Sequence, residues 1–322
     1  MRNLAAVLFL TAWTATLATA ADGELLALAP AGTRVLAGIE VERGKATPFG
    51  RYLLGRVNAG ANNFQEFVTA TGFDPTRDVD EILLASPEAS ANSRRGVVLM
   101  RGRFNTTSIV AAAKEKGAWV DYYQGAALLL PPPGKTPNPT AIAFVNGSIA
   151  VAGDEEKVKA CLARRGASPA LDAALLNKAA ELSAAYHAWM VSVAPLSEMA
   201  GGVPNPNLSG AMKGNAFQAI EQVSGAADFT DGVKVSAEAV TRSEKDAVAL
   251  ADVLRFLASF AQMNQQGATQ APALAATLET LDLKTEGNTA KISFRIPEDQ
   301  LEKLMQSHPR PARVRPVAAG AR

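Results

Sequence analysis

His187 has the richest chemical neighbourhood of either histidine in the chain. Tyr186 and Trp189 flank it at a strand start, and as a general base it would need Ser192 or Cys161 as its nucleophile. The same setting also suits a half-buried imidazole satisfied by a backbone carbonyl. Cys161, the single cysteine, has Lys157, Arg164 and Arg165 at i−4, i+3 and i+4, cations that stabilise a thiolate when the sulfur is exposed. Val158 and Leu162 beside it imply a stripe turned inward, so burial decides between a reactive and an inert free thiol. Asp74, Asp78, Asp80 and Glu81 gather hard oxygen ligands suited to calcium, but without the glycine and terminal glutamate of a helix-loop-helix calcium loop. Pro75 and the following strand make a solvated turn the simpler expectation, and no metal is expected. Trp119, Asp121, Tyr122 and Tyr123 resemble a stacking surface for a glycan or peptide, half of it core. With His187 and Trp189, and the proline loop that follows, they are the ligand-binding candidates.

Other chemistries lack their residues. Gly50 to Val57 has the glycine spacing of a phosphate loop, but Arg56 and Val57 stand where lysine and a hydroxyl are needed. Neither a Gly-x-Ser-x-Gly elbow nor a Ser-x-x-Lys pair occurs, and one cysteine with two histidines is too few for most zinc sites. No cofactor is expected. The 32 basic and 31 acidic residues nearly cancel, which disfavours nucleic acid as a partner.

Short alternating units must position these residues. Val35 to Val41 reads as a strand, Pro48 opens a helix, and Gly72 closes the helical stretch begun at Phe64. Strands are expected at Ile82 to Ala85 and Gly96 to Arg101, then a helix from Ser108 to Lys116 capped by Asn105 or Thr106. Ala118 to Tyr123 and Ala126 to Leu130 precede Pro131-Pro132-Pro133-Gly134, which forbids regular structure until Thr140. Asn146-Gly147 joins Ala141 to Val145 with Ile149 to Ala152, the strongest hairpin signal present. Asp154 then caps a helix. Beyond a Gly166 to Pro169 boundary come a helix from Leu171, a strand from Trp189, and alternation at Val233, Val235, Ala237 and Ala239. Ser243 with Asp246 caps the longest helix, and Gly287-Asn288 turns Leu281 to Glu286 into Thr289 to Ile296. Consecutive hairpins predict an α+β fold of antiparallel sheets, in two lobes of repeated hairpin-plus-helix units, with helices on one face of each sheet.

Residues 1–20 have the build of a secretory signal: Arg2, an apolar run from Leu4 to Leu17, then Ala18-Thr19-Ala20 ahead of Ala21. Cleavage after Ala20 is expected, because the run falls short of the ~20 residues that span a bilayer. The expected organisation is signal 1–20, an N-terminal lobe 21–168, a C-terminal lobe 169–307 and a basic tail 308–322. Arg310, Arg313, Arg315 and Arg322 give that tail an affinity for anionic surfaces. A soluble periplasmic or extracellular protein is expected.

Thr47-Pro48-Phe49-Gly50 after the first strand, Gly72-Phe73-Asp74-Pro75 with Asp78, and Gly287-Asn288-Thr289 leading to Ile296-Pro297-Glu298 resemble a pattern of uncharacterised exported bacterial proteins. The resemblance spans most of the chain beyond residue 20. It implies secretion and an α+β fold, and it implies no reaction. The expected function is a non-catalytic exported binding protein for a protein, peptide or apolar ligand. An exported hydrolase and a surface-attached structural module are the alternatives.

Overall fold

The computed structural model describes residues 21–60, 64–89, 96–132, 140–195, 198, 214–263 and 280–296. The expected signal, the loop after Pro132, Pro297-Glu298 and the arginine tail lie outside those residues.

The first element among the described residues is α1 (Gly23–Leu28), where the Asp22 carboxylate accepts from the Glu24 and Leu25 N–H groups. β1 (Val35–Glu40), α2 (Val41–Lys45), α3 (Pro48–Gly60), α4 (Phe64–Thr71) and the short α5 (Pro75–Asp78) follow. Gly72 ends α4 at φ +69°, a conformation that needs no Cβ. β2 (Val79–Ser86) and β3 (Val97–Gly102) lead to α6 (Thr106–Glu115), capped by the Asn105 side chain on Ser108 N–H. Two hairpins, β4 (Trp119–Tyr123) with β5 (Ala126–Leu130) and β6 (Ala141–Phe144) with β7 (Ile149–Gly153), precede α7 (Glu155–Ala163). The rest is α8 (Ala173–Ala185), β8 (Ala188–Ser192), α9 (Asn215–Gln218), β9 (Ile220–Asp228), β10 (Val233–Thr241), α10 (Glu244–Met263), β11 (Asp282–Glu286) and β12 (Thr289–Ile296).

All twelve strands among the described residues form one antiparallel sheet, in the order β11-β12-β10-β9-β8-β1-β2-β3-β7-β6-β5-β4. The fold is therefore α+β around a large antiparallel sheet. That sheet continues past Gly166 to Pro169, because β1 pairs with β2 on one side and β8 on the other: Val35 sits between Ser86 and Ser192.

Helices cover both faces of this sheet, where one covered face was expected. The reason lies in strands such as β5, β6 and β7, which are apolar at successive positions and so need cover on each side. On one face, Leu36, Leu83, Leu99, Leu128 and Val151 pack under Leu25 and Leu28 of α1, Val158 and Leu162 of α7, and Leu175 and Leu182 of α8. On the other, Leu129, Phe144 and Ala150 meet Ile109 of α6 and Phe104. Further along that second face, Leu250 of α10 covers Ala290 with Phe217.

Candidate functional site

The second face carries a pocket of about 590 Å³ between the sheet and the pair α4 and α6. Strand register builds its floor: Met100, Ala150, Phe144 and Ala127 are consecutive partners across β3, β7, β6 and β5, so their side chains share a face, and of that face Met100, Phe144, Ile142 and Leu129 line the pocket. Phe104 is its aromatic hinge, with ring centroids 5.3 Å from Phe73 and 5.5 Å from Phe144. The roof is the α6 stripe Ile109, Ala112, Ala113 and Lys116, spaced i, i+3, i+4 and i+7. Two alanines in that stripe leave the space open. Lys116 caps the C-terminal end of α6, where the helix dipole favours a cation, and it is the charged member of the lining, with Thr71 and Thr140 as hydroxyls. A pocket of this size, apolar apart from these three side chains, has the lining typical of small-molecule sites.

The floor row extends beyond the pocket. Met100 neighbours Ile82, then Ile39, then Ala188 across β2, β1 and β8. Ile39 and Leu84, on the same face, are 45% and 38% exposed.

The residues singled out in the sequence separate into three places. Trp119, Asp121, Tyr122 and Tyr123 lie on the edge strand β4, with Trp119 65% and Tyr122 66% exposed. Register puts Trp119 opposite Leu130 and Tyr122 opposite Ala127, on opposite faces, so the two rings form no common platform. Tyr123 packs on the first-face core, with the Lys159 ammonium 5.9 Å from its ring centre. Trp189 is a core residue on β8, its indole laid over Gly38. β8 and β4 are seven strand positions apart, so these six residues do not converge.

His187 stacks on Phe229 at 5.5 Å between centroids. Its Nδ1 accepts from Phe229 N–H at 3.1 Å and lies 3.1 Å from Asp228 Oδ1. Burial holds its pKa below the ordinary histidine value, against the pull of Asp228. Ser192 is buried, accepts from Ala194 N–H, and lies five residues along β8, about 16 Å away at strand rise. Cys161 lies on the buried side of α7, and burial pushes its thiol up to about 12. Neither stands ready as a nucleophile.

The four acidic residues do not converge on one point: Asp74 and Asp78 share the α5 turn, where Asp74 N–H donates to Asp78 Oδ2, while Asp80 and Glu81 lie on β2. Asp74 caps α5 through Thr76 N–H, and Asp78 binds Arg77, whose hydrogen bonds hold its carboxyl below the usual range. Glu81 points into the first-face core beside Glu40, its register partner. Burial and the Glu40 charge raise Glu81 to about 7. Among the described residues no group of three or more His, Cys, Asp or Glu is arranged to hold a metal ion.

The pocket escaped sequence reasoning because Phe73, Phe104 and Phe144 are distant in the chain. Its one local signal was the α6 stripe ending in Lys116. No protein-family model matches this chain, and comparisons with curated proteins and with solved structures return no match. Among the described residues no helix is long and apolar enough to cross a membrane.

Proposed function

We propose that this chain is an exported, non-catalytic binding protein whose ligand is an apolar chain with an anionic end, such as a long-chain fatty acid. The observation that carries this reading is the 590 Å³ pocket, apolar except for Thr71, Thr140 and Lys116. Each methylene buried there contributes about 0.8 kcal/mol, and Lys116 orients the head group. Ile39 and Leu84, exposed on the same face, offer continuing apolar contact to a longer chain.

The order of elements also favours two units of one design, 21–168 and 169–307. β1, β2, β3 and α6 match β8, β9, β10 and α10 in sequence and in their places outward from the sheet centre. Under α10 the equivalent space is filled by Phe217, Leu250, Leu254 and Leu257. Under α6, alanines leave it empty, so the two units differ where a ligand fits.

Titration of the processed protein with a fluorescent fatty acid tests the reading. Micromolar or tighter binding is expected, Ala113→Trp should weaken it at least tenfold by filling the pocket, and Trp119→Ala should leave it unchanged. Absence of binding, or equal binding by the Ala113→Trp protein, would sink the proposal.

A further inference from the structure

Residue 21 occupies an unusual place for the first residue of a processed chain. Ala21 is 6% exposed, and its backbone nitrogen donates to the buried Ser183 Oγ at 2.6 Å. One peptide unit on, Asp22 N–H faces both Glu81 oxygens at 3.3 and 3.4 Å. Glu81 lies beside Glu40 on the adjacent strand, and the buried Glu40 Oε1 has no hydrogen-bond partner among the described residues.

The charges around this point do not balance. From α1 and its cap come Glu24 and Asp22, from β1 Glu40 and from β2 Glu81. Against these four carboxylates stand Arg101 of β3, held by Asp22 and Glu24, and Arg43 of α2. Arg43 is largely committed elsewhere, donating to the Ser183, Ala184 and Tyr186 carbonyls at the end of α8. His187, near Arg43, is held toward its neutral form. A buried carboxylate pair whose nearest cations, Arg43 for Glu40 and Arg101 for Glu81, hydrogen-bond mainly to other groups is costly.

Given export with cleavage after Ala20, we infer that the α-ammonium group freed at Ala21 is the missing cation, seated between Ser183 Oγ and the Glu81 and Glu40 carboxylates. Water adds across the Ala20–Ala21 amide, leaving a carboxylate on Ala20 and an amine on Ala21 that takes up a proton. One N–H donor becomes three. Ser183 keeps one, and the two acidic side chains accept the others. Removal of the leader thereby completes the buried centre of the sheet.

The pH signs follow. An α-amino group titrates near 7.7–8.0 when free, and pairing raises it in the folded chain. Its stabilisation is full below the unfolded value and is lost as pH rises through the raised one. Without the ammonium, Glu81 holds its proton to about 7, so stability falls as pH rises from about 4.5 to 7. Seating the ammonium relieves that fall.

The test compares a chain beginning at Ala21 with one retaining Ala20, each with Glu81 or Glu81→Gln, after intact-mass measurement of the naturally exported protein. The exported mass should correspond to Ala21 as first residue. Retaining Ala20 should lower Tm at pH 7 by about 4 °C, less at pH 5, and the difference should shrink to near zero in the Glu81→Gln pair. Another first residue, an unchanged Tm, or a loss that persists undiminished in Glu81→Gln would each overturn the inference. Failure of fatty-acid binding with these shifts intact would reject the ligand and leave the seated terminus standing.

Discussion

Gly38 and Trp189 show how one residue's missing side chain fixes another's place. They are direct partners across β1 and β8, and a Cβ on Gly38 would overlap the indole ring. Gly38→Ala should destabilise the protein by about 1–3 kcal/mol, the cost of overpacking, as read from urea unfolding at constant slope. An unchanged midpoint would mean that Trp189 moves aside without loss. The same pair marks what could not be read in advance. Trp189 next to His187 looks like a binding residue in one dimension, and only the pairing with Gly38 shows it to be core. Cys161 was legible, because Val158 and Leu162 already placed it on an inward stripe and the structure buries it with them.

Capping chemistry explains why so many elements were visible from the sequence. Asp154 and Ser243 were identified as helix starts and Asn105 as one of two candidates with Thr106, and the side chains of Asn105, Asp154 and Ser243 each accept from their own first turn. The hairpin expected at Asn146-Gly147 forms, but not through the two-residue turn: Val145 N–H donates to the Ile149 carbonyl, so residues 146–148 make the turn, held by the Asn146 side chain accepting from Ser148 and Ile149 N–H. α1, α2 and β9 were not assigned. α1 is short and fully amphipathic only against a sheet that forms later, while β9 mixes Gly225 and Ser224 with small apolar residues and shows no clean alternation. α8 depends on a cap of the same kind, since Asp172 Oδ1 accepts from Ala174 N–H at 2.8 Å and Leu175 N–H at 3.3 Å. Asp172→Ala should cost about 1 kcal/mol in chemical denaturation, and a loss below a few tenths would show that packing alone starts this helix.

At the scale of the molecule, strand order was the hidden quantity. The sequence marks hairpins, whose partners are adjacent, but not the β1–β8 and β3–β7 pairs, whose partners are remote. One sheet shared by both halves should unfold in one step. Calorimetry should give a van't Hoff enthalpy equal to the measured enthalpy, whereas two resolved transitions would show halves that fold independently. The β1–β8 pairing also sets a schedule. A polypeptide is made from its amino end, so β1 can pair with β2 early, but its other edge must wait for β8. Throughout that interval the growing chain presents a row of unpaired backbone donors and acceptors along Val35 to Glu40. Such an open edge invites pairing with a stranger. A chaperone that shields it during synthesis, or faster completion of the stretch up to Ser192, would therefore govern yield more than any change in final stability.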